Sequence, residues 1–351
     1  MTIVKVEELK GGEVLAEPIF DDNNKVLLGK GTVINKNYIH KLIEFSIRKV
    51  KIEEHIIVEE KPHEILREEI QDDCVKRVKE ILNNHTFSNN QELSQIGETA
   101  QKIIGNVLET KEVVNHVYEI KERSEDMYEH SISVCSMATM LSLLCNIRQD
   151  RIYEISVASL LHDLGLRYMS VPYINKETSE MSEEEFNEYK KHSVYGFTAV
   201  QYEKWISEIA KQMILFHHEK IDGTGYPLCA KEISMECQII EICEFLDEHI
   251  CGVGAKKMRV HEAVEYLKSL SGKAFQAEIV DKLVSFIAIY PVGTTVKLSN
   301  GSIGIVVKQD DHFVDRPIIQ LINDEKGIEI EKKVLINLVE QTNIIIDSIV
   351  E

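Results

Sequence analysis

His217-His218-Glu219-Lys220-Ile221-Asp222-Gly223-Thr224-Gly225-Tyr226-Pro227 is the stretch that decides how this chain reads. Two adjacent imidazoles and a carboxylate run into a glycine-rich turn. Upstream lie His162-Asp163 and an isolated His192, so five metal-competent side chains fall within one run of predicted helices. Such a set points to a centre holding more than one metal ion.

Helix geometry sharpens this. In the segment from Arg151 to Leu161, Ile152, Ile155, Ala158 and Leu161 make one apolar stripe, which puts His162-Asp163 at the end of a core helix. His217-His218 repeats the arrangement after Ile209, Met213, Ile214 and Phe216. Neighbouring side chains on a helix diverge by about 100°, given about 3.6 residues per turn. A pair of diverging imidazoles therefore suits two ions roughly 3.5–4 Å apart better than one.

Further candidates lie on the same helices. Asp126 and His130, four residues apart, share a helix face. His192 is expected to end a helix over Glu183 to Lys191. Glu244 sits among Ile240, Cys243 and Leu246, where a carboxylate needs a partner or a metal. Each has a plainer reading: a surface His-His pair, a solvated acid at Asp126, a salt bridge at Glu244. It is the occurrence of His-Asp, His and His-His together, each at an apolar helix end, that favours a shared site. Imidazole and carboxylate without thiolate suit iron, manganese or zinc better than calcium or copper(I).

Composition narrows the function. At 351 residues, 44% hydrophobic and 28% charged, the chain is an ordinary globular protein of two or three domains. A formal charge of -19 argues against a nucleic-acid polymer as partner, since backbone binders cluster Lys and Arg. The start lacks a secretion signal. No apolar run reaches membrane-span length. Seven cysteines without a Cys-x-x-Cys pair suggest reduced thiols, so a cytoplasmic location is expected.

The expected fold class is mainly α: a helical bundle core, a small α+β N-terminal domain and a small β C-terminal appendage. Residues 1–60 alternate short apolar runs with turns: Glu13 to Phe20, Asp21-Asp22-Asn23-Asn24, then Val26-Leu27-Leu28. A helix with Tyr38, Leu42, Ile43 and Ile47 at helical spacing precedes the Val50-Lys51-Ile52 strand. Residues 61–290 are helical in period. Ser182-Glu183-Glu184-Glu185 has capping-box form, and Gly165 can end the helix before it in the left-handed conformation. Residues 291–351 return to strands: Thr294 to Leu298 and Ile303 to Val307 flank the hairpin signal Asn300-Gly301. Ile318 to Ile322 and Ile328-Glu329-Ile330 follow.

With these residues in view, the chain resembles the HD-GYP family, a branch of the HD phosphohydrolases that hydrolyses cyclic di-GMP. His162-Asp163-Leu164-Gly165 looks like the HD element and His192-Ser193-Val194-Tyr195-Gly196 like HPxxG. His217 through Pro227 matches HHExxDGxGYP in full. The resemblance runs from about Glu125 to Tyr290, with a familiar tail after Pro291. It implies an HD-type helical core enclosing two or three divalent ions, commonly iron or manganese. By position, the metal ligands would be Asp126, His130, His162, Asp163, His192, His217, His218 and Glu244. Asp126 stands where the family often has glutamate and Glu244 where it usually has aspartate, each swap altering reach by about 1.5 Å.

Two departures bear on turnover. Leu166 replaces the family's phosphate-contacting lysine, with Arg167 beside it as a substitute candidate. Val253 replaces a family arginine, while Lys256 falls on the second basic position and Asp247 is retained. The resemblance implies a cyclic dinucleotide substrate, with Asp163 and Arg167 in catalytic roles. Asp222, Gly225, Tyr226, Asp247 and Lys256 would line the substrate. It leaves room for a homodimer and for a signalling protein partner. Two rivals stand beside this reading: a binding module that keeps metal but has lost turnover, favoured by Leu166 and Val253, and a hydrolase for another cyclic dinucleotide such as cyclic GMP-AMP.

Overall fold

The computed structural model describes residues 2–9, 13–20, 26–32, 34, 36–45, 47–57, 63–85, 92–109, 117–120, 125–330 and 333–350. They fall into two compact units. One unit comprises Met1–His63, His116–Ile120 and Ile287–Glu351; the other comprises Glu64–Asn115 and Lys121–Phe286.

In the first unit, β1 (Thr2–Lys5) and β2 (Glu13–Leu15) flank β5 (Lys49–Ile57) in an antiparallel sheet of order β1-β5-β2. β3 (Ile19–Phe20) pairs with β4 (Val26–Leu28), and α1 (Lys36–Glu44) lies between β4 and β5 in sequence. Leu15, Ile34, Leu42 and Val50 form the core. Ile43, grouped with Leu42 in the sequence pattern, faces solvent instead at 49% exposure. The Asp21–Asn24 turn lies outside the described residues.

Among the described residues five strands follow Pro291: β6 (Thr295–Leu298), β7 (Ile303–Lys308), β8 (Ile318–Asn323), β9 (Leu335–Asn337) and β10 (Ile346–Ile349). They pair antiparallel in the order β10-β6-β7-β8-β9. Gly301 takes a φ of 92° at the predicted hairpin, a conformation glycine adopts without a Cβ penalty. The Ile328-Glu329-Ile330 run is not a strand of this sheet; it contributes one bridge, Glu329 to Asn323. Val296, Leu298, Val306 and Ile319 fill one side, while Ile305 and Val307 pack with Val14. The two ends of the chain thus share one unit.

Among the described residues the second unit is built on helices: α2 (Glu68–Asn84), α3 (Gln95–Glu109), α4 (Met127–Leu144), α5 (Gln149–Leu161), α6 (Glu183–Tyr189), α7 (His192–Val200), α8 (Glu208–Phe216), α9 (Met235–Cys251), α10 (Val260–Leu270) and α11 (Ala277–Val284). α4 is buried on nearly every face, as expected of a helix apolar all round. Several of its hydroxyls are satisfied within the helix: Ser131 donates to the Met127 carbonyl, Thr139 to Cys135 and Ser142 to Ala138. Each fully buried aliphatic side chain here, Ile132 or Leu141 for example, contributes roughly 1.5–3 kcal/mol. None of the described helices is long and apolar enough to cross a membrane.

Two sequence expectations need correction. Gly165 does not end α5 in a left-handed turn; the helix gives way at His162 to a 3-10 segment, His162–Tyr168, with Gly165 inside it. Glycine is required there because a Cβ would collide with the carbonyl of His192. His192 does not end the helix before it but opens α7, after α6 has closed at Tyr189. The capping box at Ser182 is present, its hydroxyl accepting from Glu185 N–H at 3.2 Å and Glu185 accepting from Ser182 N–H at 2.8 Å.

Candidate metal centre

Helix termini deliver every imidazole of the site. α4 starts at its N-cap Asp126 and carries His130 in its first turn; α5 runs into His162-Asp163; α7 opens on His192; α8, capped by Ser207, runs into His217-His218. α9, capped by Ser234 and closed by Gly252 at a φ of 84°, presents Glu241, Glu244 and Asp247. All five histidines and these three acids are buried.

The donors form two groups. Nε2 of His192 lies 3.1 Å from Nε2 of His217 and 3.0 Å from Nε2 of His218. Nε2 of His130 and of His162 lie 3.3 Å apart, with Asp163 and Glu244 beside them. Asp163 spans both groups: Oδ1 is 3.5 Å from His192, and Oδ2 is 3.4 Å from His162 and 3.6 Å from His130. Glu244 Oε1 sits 3.1 Å from His218 Nε2 and 3.8 Å from both His162 and His217.

Tautomers can be read from the outer nitrogens. Nδ1 of His162, His192 and His217 faces the carbonyl three residues earlier, on Ser159, Tyr189 and Ile214, at 2.6, 2.8 and 2.7 Å. A carbonyl can only accept, so each Nδ1 carries the proton, and in the neutral ring each Nε2 presents a lone pair. Lone pairs converging at 3.0–3.3 Å repel unless a cation stands among them. Asp163 Oδ1 and Glu244 Oε2 are buried without a hydrogen-bond partner, a cost that coordination would remove. The nitrogen and oxygen donors fit divalent ions.

Charge follows the same geometry. Burial, reinforced by neighbouring imidazoles, pushes His217 and His218 well below the ordinary imidazole range, and burial also lowers His192. At His162 burial is outweighed by Asp163, and the net shift is upward. Asp163 is held well below the carboxylate range, because the surrounding imidazoles overcome its burial. Glu244 is raised well above that range by burial and the nearby acids, and burial brings Glu241 up to about 7 against the opposing pull of Lys220.

The lip is pinned from beneath. Glu219 accepts from Leu228 N–H at 2.6 Å and from Ala230 N–H at 2.7 Å. Asp222 accepts from Thr224 N–H and hydroxyl, at 2.9 and 2.7 Å, closing the turn locally. A Cβ on Gly225 would collide with the backbone of His218 to Lys220, so only glycine lets the lip lie this close to the ligand pair. Tyr226 stacks on His218, centroids 4.5 Å apart.

Four expected residues stand elsewhere. Asp126 is not among the converging donors: Oδ1 caps α4, accepting from Tyr128 and Glu129 N–H at 2.8 and 3.2 Å, and Oδ2 pairs with Lys79 at 3.2 Å. Arg167 reaches the carbonyls of Asn83 and His85 at 3.5 Å, so the turn does not aim it at the site. Asp247 is fully buried behind His130, accepting from its Nδ1–H at 2.9 Å and from the Ser133 hydroxyl. Lys256 is exposed in the loop after α9. Leu166 and Val253 are both buried in one apolar cluster with Met181, Tyr189 and Cys251.

Sequence reasoning missed Glu241, which with Glu244 and His218 forms a further buried group, and Cys251, grouped with His130 and Asp247. The reasoning applied to Glu244, an acid amid apolar residues of α9, holds equally for Glu241 between Ile240 and Ile242.

Residues 76–279, more than half the chain, match the HD domain family. The chain belongs to the HD domain family. Its lip, complete from His217 to Pro227, is the part of the chain that resembles the HD-GYP branch. Residues 295–351 match the KOW domain associated with HD domains. The HD chain is 27% identical over 227 residues to a cyclic di-GMP phosphodiesterase of Pseudomonas aeruginosa, covering 64% of this chain and 54% of that protein. It is 26% identical over 216 residues to 3'3'-cGAMP-specific phosphodiesterase 2 of Vibrio cholerae, covering 58% and 39%. It thus spans about half the length, or less, of the curated relatives it matches. The solved structure of an HDG"Y"P protein from Bdellovibrio bacteriovorus shares the HD fold with a TM-score of 0.55 at 18% identity, covering 80% of this chain and 97% of that one.

Proposed function

We propose that the helical unit is a metal-dependent phosphodiesterase that opens cyclic di-GMP to the linear dinucleotide and carries it on to GMP. The observation that carries this reading is the convergence of imidazole lone pairs at 3.0–3.3 Å around a carboxylate shared between two donor groups. Similarity to enzymes named for cyclic di-GMP and 3'3'-cGAMP supports the substrate class. We assign two or three iron or manganese ions to His130, His162, Asp163, His192, His217, His218 and Glu244. Bound there, such ions neutralise phosphodiester charge and acidify water.

The chain's own residues do the rest. Asp163 accepts a hydrogen bond from the attacking water and orients it between the two donor groups. Asp247 fixes the His130 ring by accepting a hydrogen bond from its Nδ1–H. Gly225 lets the lip backbone approach the substrate, and Tyr226, held by its stack on His218, offers the nucleotide a ring edge or hydroxyl.

A second reading, a metal-bearing module with weakened turnover, is favoured by one observation: Leu166 and Val253 share an apolar cluster where the family has basic side chains, and Arg167 points away. The test is to load the chain anaerobically with Fe(II) or Mn(II), incubate it with cyclic di-GMP and with 3'3'-cGAMP, and separate the products. Linear product from cyclic di-GMP is expected, reduced at least about 100-fold in His217→Ala. Binding without turnover supports the module, preferential cleavage of 3'3'-cGAMP reassigns the substrate, and cleavage that survives His217→Ala refutes the metal mechanism.

A further inference from the structure

We propose that Glu241 is a positioning residue of the metal centre, acting through His218, with Lys220 holding its far oxygen; the assignment rests on the metal-centre reading above. Three of the five imidazoles anchor Nδ1 on a backbone carbonyl, and a fourth, His130, anchors it on Asp247. His218 is the fifth. Its Nε2 points into the donor cluster, 3.0 Å from His192 and 3.1 Å from Glu244, while its Nδ1 faces Glu241 Oε2 at 3.4 Å, an ion-pair contact that is not a formed hydrogen bond and leaves that buried oxygen without a hydrogen-bond partner. Glu241 therefore lies on the edge of the ring opposite the converging donors. That is the place of a group that orients a ligand, not of a ligand.

The arrangement parallels the one behind His130. There Asp247 accepts the imidazole Nδ1–H with one oxygen and the Ser133 hydroxyl with the other. Here Glu241 Oε1 is held by Lys220 Nζ at 3.6 Å, and that ammonium lies 5.6 Å from the Phe245 and Phe275 ring centroids. Glu241 is only 4% exposed at its side chain, so a charge there is costly without a role and a counter-ion. An imidazole that donates Nδ1–H to a carboxylate has a fixed tautomer and a more basic Nε2, and losing such a partner typically weakens metal binding about 10–100-fold. Lys220 sits in the same motif as His218, two residues on, so one turn supplies both the ligand and the clamp on its positioner.

Titrating the metal-free full chain with Co(II), anaerobically, reads the ion count, the affinity and the visible d–d absorption together. Glu241→Gln should keep the wild-type number of ions, weaken the weakest about 10–100-fold and shift the d–d band. Lys220→Met should do the same more weakly, and carries the test alone if Glu241→Gln does not fold. Metal-free Glu241→Gln should melt no lower than metal-free wild type, which separates positioning from a purely structural role. Unchanged affinity and spectrum overturn the proposal, as does loss of a whole ion, which would make Glu241 a ligand. A wild type that takes up no Co(II) brings down the metal-centre reading and this assignment together, whereas a wild type that binds like Glu241→Gln sinks the assignment alone.

Discussion

At the floor of the helical unit's site, His162, His192 and His217 each hang at a helix terminus with Nδ1 tied to the carbonyl three residues back. At its rim, Leu166, Arg167, Val253 and Lys256 obey no common rule: two are packed into an apolar cluster, one turns toward the end of α2, one is exposed. Backbone geometry at helix ends fixes the floor, while loop packing fixes the rim. The converging donors and the positions where the resemblance expects basic side chains are thus carried by different kinds of residue, and of the two only the donor set is assembled here.

The contrast breaks most sharply at Gly165, where the rim segment meets the floor. Gly165→Ala would drive a Cβ into the His192 carbonyl, backbone against backbone. A loss of stability above about 3 kcal/mol is expected, with metal content falling alongside, because overpacking here displaces a ligand. Denaturant unfolding and elemental analysis of the variant check both. A fully metallated, equally stable Gly165→Ala would show that floor and rim are not in such close register.

Leu166→Ala separates the two regions more gently. Leu166 is buried at 2% exposure among Met181, Tyr189 and Val253, so truncation should cost about 3 kcal/mol. Metal content should stay at the wild-type value, since no donor is touched. If unfolding shows a cost well below 1 kcal/mol, the cluster is not a packed one and the rim has room for a phosphate after all.

The floor was legible in the sequence because its signals were local. Apolar stripes at Ile152, Ile155, Ala158 and Leu161, and again before His217, say where a helix ends and so where the next side chains project. The rim was not legible, since whether Arg167 replaces a missing lysine depends on which way a 3-10 segment turns, and that follows from Gly165 packing on His192. Asp126 failed for a different reason. Spacing put it on a helix face with His130, yet an acid just before a helix is first a cap, and Asp126 stands outside α4 with extended backbone, claimed by two N–H groups. Glu241 was missed although its burial amid isoleucines was as visible as that of Glu244. In the first unit, apolar runs between turns gave β2 to β8 but not β1, β9 or β10, and nothing local said that the chain's two ends pack together through Val14.

The smallest expected effect lies at that cap. Asp126→Ala should lower stability by about 1 kcal/mol through loss of the α4 cap and leave the metal count unchanged. Thermal unfolding with parallel metal analysis reads both; a lost ion would restore Asp126 to the ligand set.

The central claim is that imidazoles from four helix termini, with Asp163 between them, surround divalent cations. Elemental analysis of the anaerobically purified chain tests it most directly. At least two iron or manganese ions per chain are predicted; a protein with its helical fold intact and less than one transition-metal ion per chain, before and after loading, would contradict it.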